Sequence, residues 1–94
     1  MSHLISPPTN EKVADLRARW ETLTYRQQEI ALLVIKENLT NRQIARRLAL
    51  SPHTVKDHLS IAYARLEVKG RRNLRYLMIY AAQLDERLNE EHIE

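Results

Sequence analysis

The chain has 94 residues, a formal net charge of +3 and 44% hydrophobic residues, which suffices for one small domain with one modest core. One Gly, three Pro and no Phe, with many Leu, Ala, Arg and Glu, favour an all-α fold, and the absence of Cys excludes disulfides, thiol chemistry and thiolate metal sites. No apolar run is long enough to cross a membrane, and no signal peptide is present.

Residues 1–10 include Ser6-Pro7-Pro8-Thr9 and read as a flexible lead-in. His3 has no companion at metal-ligand spacing, so no metal is expected. Thr9 or Asn10 can cap a helix from about Glu11 to Glu21, an additional N-terminal unit over residues 11–22. Its Val13, Leu16 and Trp20, with Leu23 beyond, recur at helical steps and form one apolar stripe. Trp20 reads as packing on the domain or at a dimer contact rather than stacking on a base. Thr24 and Gln27 then form a capping box that opens a helix running to about Glu37. Ile30, Ala31, Leu33 and Val34 make its buried side. Arg26 and Glu29 are spaced to pair. Glu29 lacks a second carboxylate or a His at a useful spacing, so it is not read as a general acid or base.

A second capping box, Thr40 with Gln43, opens a helix over Asn41 to Leu48 in which Ile44, Ala45 and Leu48 share a face. Ala49-Leu50 make a turn, Ser51 is a good N-cap, and Pro52 sits at the first helical position, where its missing N–H costs nothing. In the next helix Val55, Leu59, Ala62 and Leu66 fall at i, i+4, i+7 and i+11 and must pack inward. His53, Lys56, Asp57, Ser60 and Ala64 lie opposite, most of them short, and short side chains let a helix approach a surface closely. Two short helices around a tight turn, the second apolar on one face and small and polar on the other, have the layout of a helix-turn-helix, whose second helix is offered to the major groove of DNA. Charge agrees: from Thr40 to Tyr76 there are nine Lys and Arg against Asp57 and Glu67, while the rest of the chain is net acidic.

After Leu66 comes a loop, residues 67–72, that holds the only glycine. Val68 is expected in the core, and Lys69, Arg71 and Arg72 are placed to meet phosphate, with Arg75 extending the patch. The last helix is expected from about Asn73 to Glu90. Leu77, Ala81, Leu84 and Leu88 form a heptad seam in it, while Leu74, Met78 and Tyr80 face elsewhere and can join the core. The seam either pairs two copies or packs on the N-terminal helix, and its continuation to Leu88 favours self-association.

Four blocks of this chain together resemble the LuxR-type (GerE-type) helix-turn-helix of bacterial transcription regulators. They are Leu23-Thr24-x-Arg26-x-x-Glu29-Ile30, Thr40-Asn41-x-x-Ile44-Ala45-x-x-Leu48, Ser51-x-x-Thr54-Val55-Lys56-x-His58 and Leu66-x-Val68. The resemblance covers about Leu23 to Ala82 and implies a four-helix domain, here over residues 23–92 with an extended dimerisation helix. In that family the third helix enters the major groove and the fourth pairs two copies. Carried over, Thr54 and Lys56 would touch backbone or base edges, Asp57 and Ser60 would read bases, and Asn41 would help cap the second helix beside the DNA. Two departures stand out. Asn38 replaces a frequent glycine, mildly, because Asn tolerates the left-handed conformation. Glu67 replaces another, so the exit from the reading helix is expected to differ. Asp57 could accept from a cytosine amine or repel phosphate.

The resulting expectation is a single-domain, sequence-specific regulator that binds double-stranded DNA as a homodimer on an inverted repeat, in a bacterial cytoplasm, without a cofactor. Arg42, Lys56, Arg71 and Arg72 would supply the salt-dependent affinity, and His53, Thr54, Asp57 and Ser60 the discrimination. With no sensor part expected in the chain, control would come from abundance, from a partner or not at all, with RNA polymerase or a larger regulator as further partners. Competing readings are an interaction module that heterodimerises with a larger relative through the last helix, and a promoter-contacting region of a sigma factor. An enzyme is the least favoured class, since no nucleophile–base pair, metal-ligand cluster or phosphate loop is present.

Overall fold

The structure, a computed structural model, describes residues 10–76, with side chains from residue 14 onward. Four helices follow in order, α1 (Asn10–Trp20), α2 (Tyr25–Glu37), α3 (Asn41–Leu48) and α4 (Pro52–Leu66), and residues 71–76 are helical again. Among the described residues there is no strand, and no helix is long and apolar enough to cross a membrane. The expected fold class is therefore the observed one. Residues 1–9 of the expected lead-in lie outside the described residues, and Asn10 already belongs to α1.

Helices α2, α3 and α4 begin where their caps dictate. Thr24 accepts from the Gln27 N–H at 3.1 Å while Gln27 Oε1 accepts from the Thr24 N–H at 2.9 Å, and Thr40 and Gln43 repeat the arrangement at the start of α3. Ser51 Oγ accepts from the Thr54 N–H at 3.0 Å ahead of Pro52. These bonds satisfy donors that have no partner inside the helix.

Helix α4 lies at the centre, packed against α1, α2 and α3. Its stripe Val55, Leu59, Ala62 and Leu66 is buried against Ile30, Ala31 and Val34 of α2, Ile44 and Ala45 of α3, and Leu16 of α1. Val68 and Leu74 join them from the segment after α4. Each fully buried Ile, Leu or Val contributes roughly 1.5–3 kcal/mol against solvent exposure. In α2 the buried face is centred one position away from the expectation. Ile35 is buried and Leu33 only partly so, because the face runs Gln27, Ile30, Ala31, Val34, Ile35. Trp20 packs against this core.

Three residues that are not glycine end helices in the left-handed region: Asn38 (φ 52°), Ala49 (φ 58°) and Glu67 (φ 59°). The exit from α4 therefore does not differ from the glycine pattern, contrary to the expectation at Glu67. The Glu67 N–H donates to Ala64 O and the Val68 N–H to Tyr63 O, a Schellman arrangement that Val68 closes by entering the core. Arg19 of α1 pairs with the Glu67 carboxylate at 3.2 Å and with Asp15 at 2.9 Å, and Arg65 donates to Thr22 O at 2.8 Å. So α1 and the turn after it are tied to the last turn of α4. The final helical stretch starts earlier than expected, at residue 71, because the Leu74 N–H already donates to Gly70 O at 2.9 Å.

The side chain of Ala49 contributes nothing to its left-handed turn. Ala49→Gly should raise stability by about 0.5–1 kcal/mol, the β-carbon strain relieved less the entropy gained by the unfolded chain. Urea unfolding would measure this, and an unchanged or lower midpoint would contradict it.

Candidate nucleic-acid interface

Because α4 buries one stripe against three helices, its opposite face is left outward. His53, Lys56, Asp57, Ser60 and Ala64 are all exposed there. His53 Nε2 lies 3.4 Å from Asp57 Oδ2 across one helical turn, with the two side chains 82% and 63% exposed. Thr54, at the margin of this face, is half-buried, and its Oγ1 accepts from Ser51 Oγ at 2.9 Å, which leaves its own O–H as a donor. Tyr63 flanks the face, and burial pushes its phenol above the usual value of 10.0, with Arg71 pulling the other way. It stays a neutral hydroxyl.

Cations frame this surface. Arg42 and Lys69 are exposed, as is Arg72. Arg46, one turn after Arg42 on α3, is exposed too and was not singled out in the sequence, although the i, i+4 spacing on a basic helix was available as a signal. Arg47 by contrast turns back to Glu37 at 3.3 Å. Where the first turns of α3 and α4 meet the start of the last helix, a shallow recess of about 560 Å³ is lined by Asn38, Thr40, Asn41, Arg42, Pro52 and Arg71.

Two expected site residues, Asn41 and Arg71, pair with each other. Thr40 is the N-cap of α3, and Asn41, the first helical residue, uses its Oδ1 to accept from Arg71 Nη2 at 2.9 Å. Arg71 also donates to Leu39 O, and Arg75 donates to Val34 O at 3.1 Å. Both arginines, expected to meet phosphate, thus have acceptors within the protein. Leu77, Ala81, Leu84 and Leu88, the expected dimer seam, lie outside the described residues.

A helical core that presents the outward face of the second helix of a tight helix pair, with exposed cations on the neighbouring α3 and on the segment after α4, has the layout of a helix-turn-helix domain. Residues 21–78 match the family of bacterial regulatory proteins described as the luxR family. The chain belongs to that family. It accordingly carries a helix-turn-helix DNA-binding domain over these residues. Over 52 residues it is 42% identical to Mb0914c of Mycobacterium bovis and to MT0914 and Rv0890c of Mycobacterium tuberculosis, each named as an HTH-type transcriptional regulator. The matched stretch covers 55% of this chain and only 6% of each of those proteins. No solved structure matches the chain significantly. Helix α1 precedes the family match, which starts at residue 21.

Asp57 is an exposed acid beside Lys56 on the outward face of α4. Asp57→Asn should strengthen binding to unselected duplex DNA about two- to fivefold at low salt, the scale of one screened surface charge. Fluorescence anisotropy with a random-sequence duplex would test it, and equal or weaker binding would remove Asp57 from the DNA-facing surface.

Proposed function

We propose that the chain is a sequence-specific transcription regulator that inserts α4 into the major groove of double-stranded DNA and acts as a homodimer in a bacterial cytoplasm. The observation that carries this reading is the outward face of α4. It holds short polar side chains that no helix covers, on a helix whose other side is wholly committed to the core. His53, Thr54, Asp57 and Ser60 are the residues assigned to base discrimination. The phosphate contacts are assigned to Arg42, Arg46, Lys56, Lys69 and Arg72. Leu77, Ala81, Leu84 and Leu88 would pair two copies, and pairing multiplies the limited affinity of one small module through effective concentration.

Selection from a random duplex pool at near-physiological salt tests the reading directly. Enrichment of a two-fold symmetric site is the expected result, and its half-site spacing would describe the dimer. A pool that is not retained even at low salt would leave an interaction module that heterodimerises through the last helix as the better account. On the selected site, Lys56→Ala should weaken binding to all sequences and lower the slope of log affinity against log salt by about one. An unchanged slope would show that Lys56 meets no phosphate.

A further inference from the structure

The helical stretch 71–76 carries two arginines four residues apart, Arg71 and Arg75, both half-buried and both donating to main-chain carbonyls. Their acceptors follow the chain from one helix into the next. Arg75 Nε takes Val34 O near the end of α2, Arg71 Nη1 takes Leu39 O in the linker, and Arg71 Nη2 takes Asn41 Oδ1 on the first residue of α3. Val34 O already accepts from the Asn38 N–H at 3.0 Å and takes Arg75 on its second lone pair, and the partial negative charge at a helix C-terminus suits a guanidinium there. Arg71 bridges two acceptors from a planar fork, a geometry that an ammonium cannot reproduce. It is half-buried, whereas Arg42, Lys69 and Arg72 are exposed or at the surface of the same region.

The linker it holds already bonds back to α2 through the Asn38 and Leu39 N–H groups, and the bonds from Arg71 tie it to the last helical stretch as well. Asn38 sits in the left-handed region at φ 52°, and Thr40 must stay extended to cap α3. Arg71 fixes the residues on either side of Thr40, and it forms one wall of the recess whose other side carries Arg42.

We infer that Arg71 is a positioning residue for DNA binding, fixing the linker and Asn41 so that the first turn of α3 presents Arg42 to the phosphate backbone, and that it does not itself neutralise a phosphate. The inference rests on the DNA-binding reading above and assigns Arg71 a role different from the one its charge suggests.

Three variants separate the two roles. Arg71→Lys keeps the charge and loses the fork, Arg71→Gln loses both, and Asn41→Ala removes one acceptor. Duplex affinity across a salt series and backbone hydrogen exchange of the free protein are the two readouts. A positioning role predicts that Arg71→Lys and Arg71→Gln lose affinity alike, about tenfold, and that both lower the salt slope by about one, because Arg42 loses its phosphate in each although Arg71→Lys keeps the charge. It predicts that Asn41→Ala added to Arg71→Lys costs little more, because the pair is already broken. It also predicts faster exchange confined to residues 38–43, whereas a merely structural role would speed exchange throughout the core. The inference is overturned if Arg71→Lys binds as the wild type while Arg71→Gln lowers the salt slope by about one, or if exchange at residues 38–43 is unchanged. Should Arg71→Gln fail to fold, Arg71→Lys and Asn41→Ala decide the matter. A wild-type chain that binds no duplex overturns the DNA reading and this inference together, whereas wild-type binding with either of the preceding results overturns this one alone.

Discussion

Helix α4 can bury only one side, and the stripe Val55, Leu59, Ala62 and Leu66 commits that side to α1, α2 and α3 at once. Everything the chain offers to a partner follows from that commitment. Rotating α4 to cover His53, Asp57 or Ser60 would expose four apolar side chains, each worth a substantial part of the small net stability of such a domain. The outward face is held by the core and needs no bonds of its own. It can therefore carry residues chosen for contact, including the weakly paired His53 and Asp57, without cost to the fold.

The second constraint is where α3 and α4 begin. Their caps, Thr40 with Gln43 and Ser51 ahead of Pro52, set the phase of each helix, and Ala49 sets the bend between them. A shift of one residue at either cap would turn the buried stripe away from the core. Local hydrogen bonding and tertiary packing thus specify the same register, the agreement across levels that marks a well-specified sequence.

Much of this was legible in the sequence because it is local. Both capping boxes, the Ser51-Pro52 start and the α4 stripe depend on residues within a few positions of one another, and they appear in the structure as read. The Arg26–Glu29 pair, at 3.1 Å, is of the same kind. What was not legible is non-local. Arg71 and Arg75 look like members of a basic patch until the chain folds and brings Leu39 O, Asn41 and Val34 O within reach, 30 to 41 residues away in sequence. Glu67 looks like a poor helix end until Val68 enters the core and Arg19 arrives from α1. Ile35 rather than Leu33 lies on the buried side of α2, because α2 docks on α4 about one position round from the stripe that its own apolar spacing suggests.

The left-handed residues Asn38, Ala49 and Glu67 bear on how the chain acquires its shape. At two of them a β-carbon disfavours the turn in an isolated peptide, and the strain is offset only when the neighbouring helices have docked. A helix pair held by glycine turns could form early and wait for its core. Here the bends become favourable together with the packing, so secondary structure and core should condense in one step, and a partly assembled reading unit with an exposed apolar stripe gains little population.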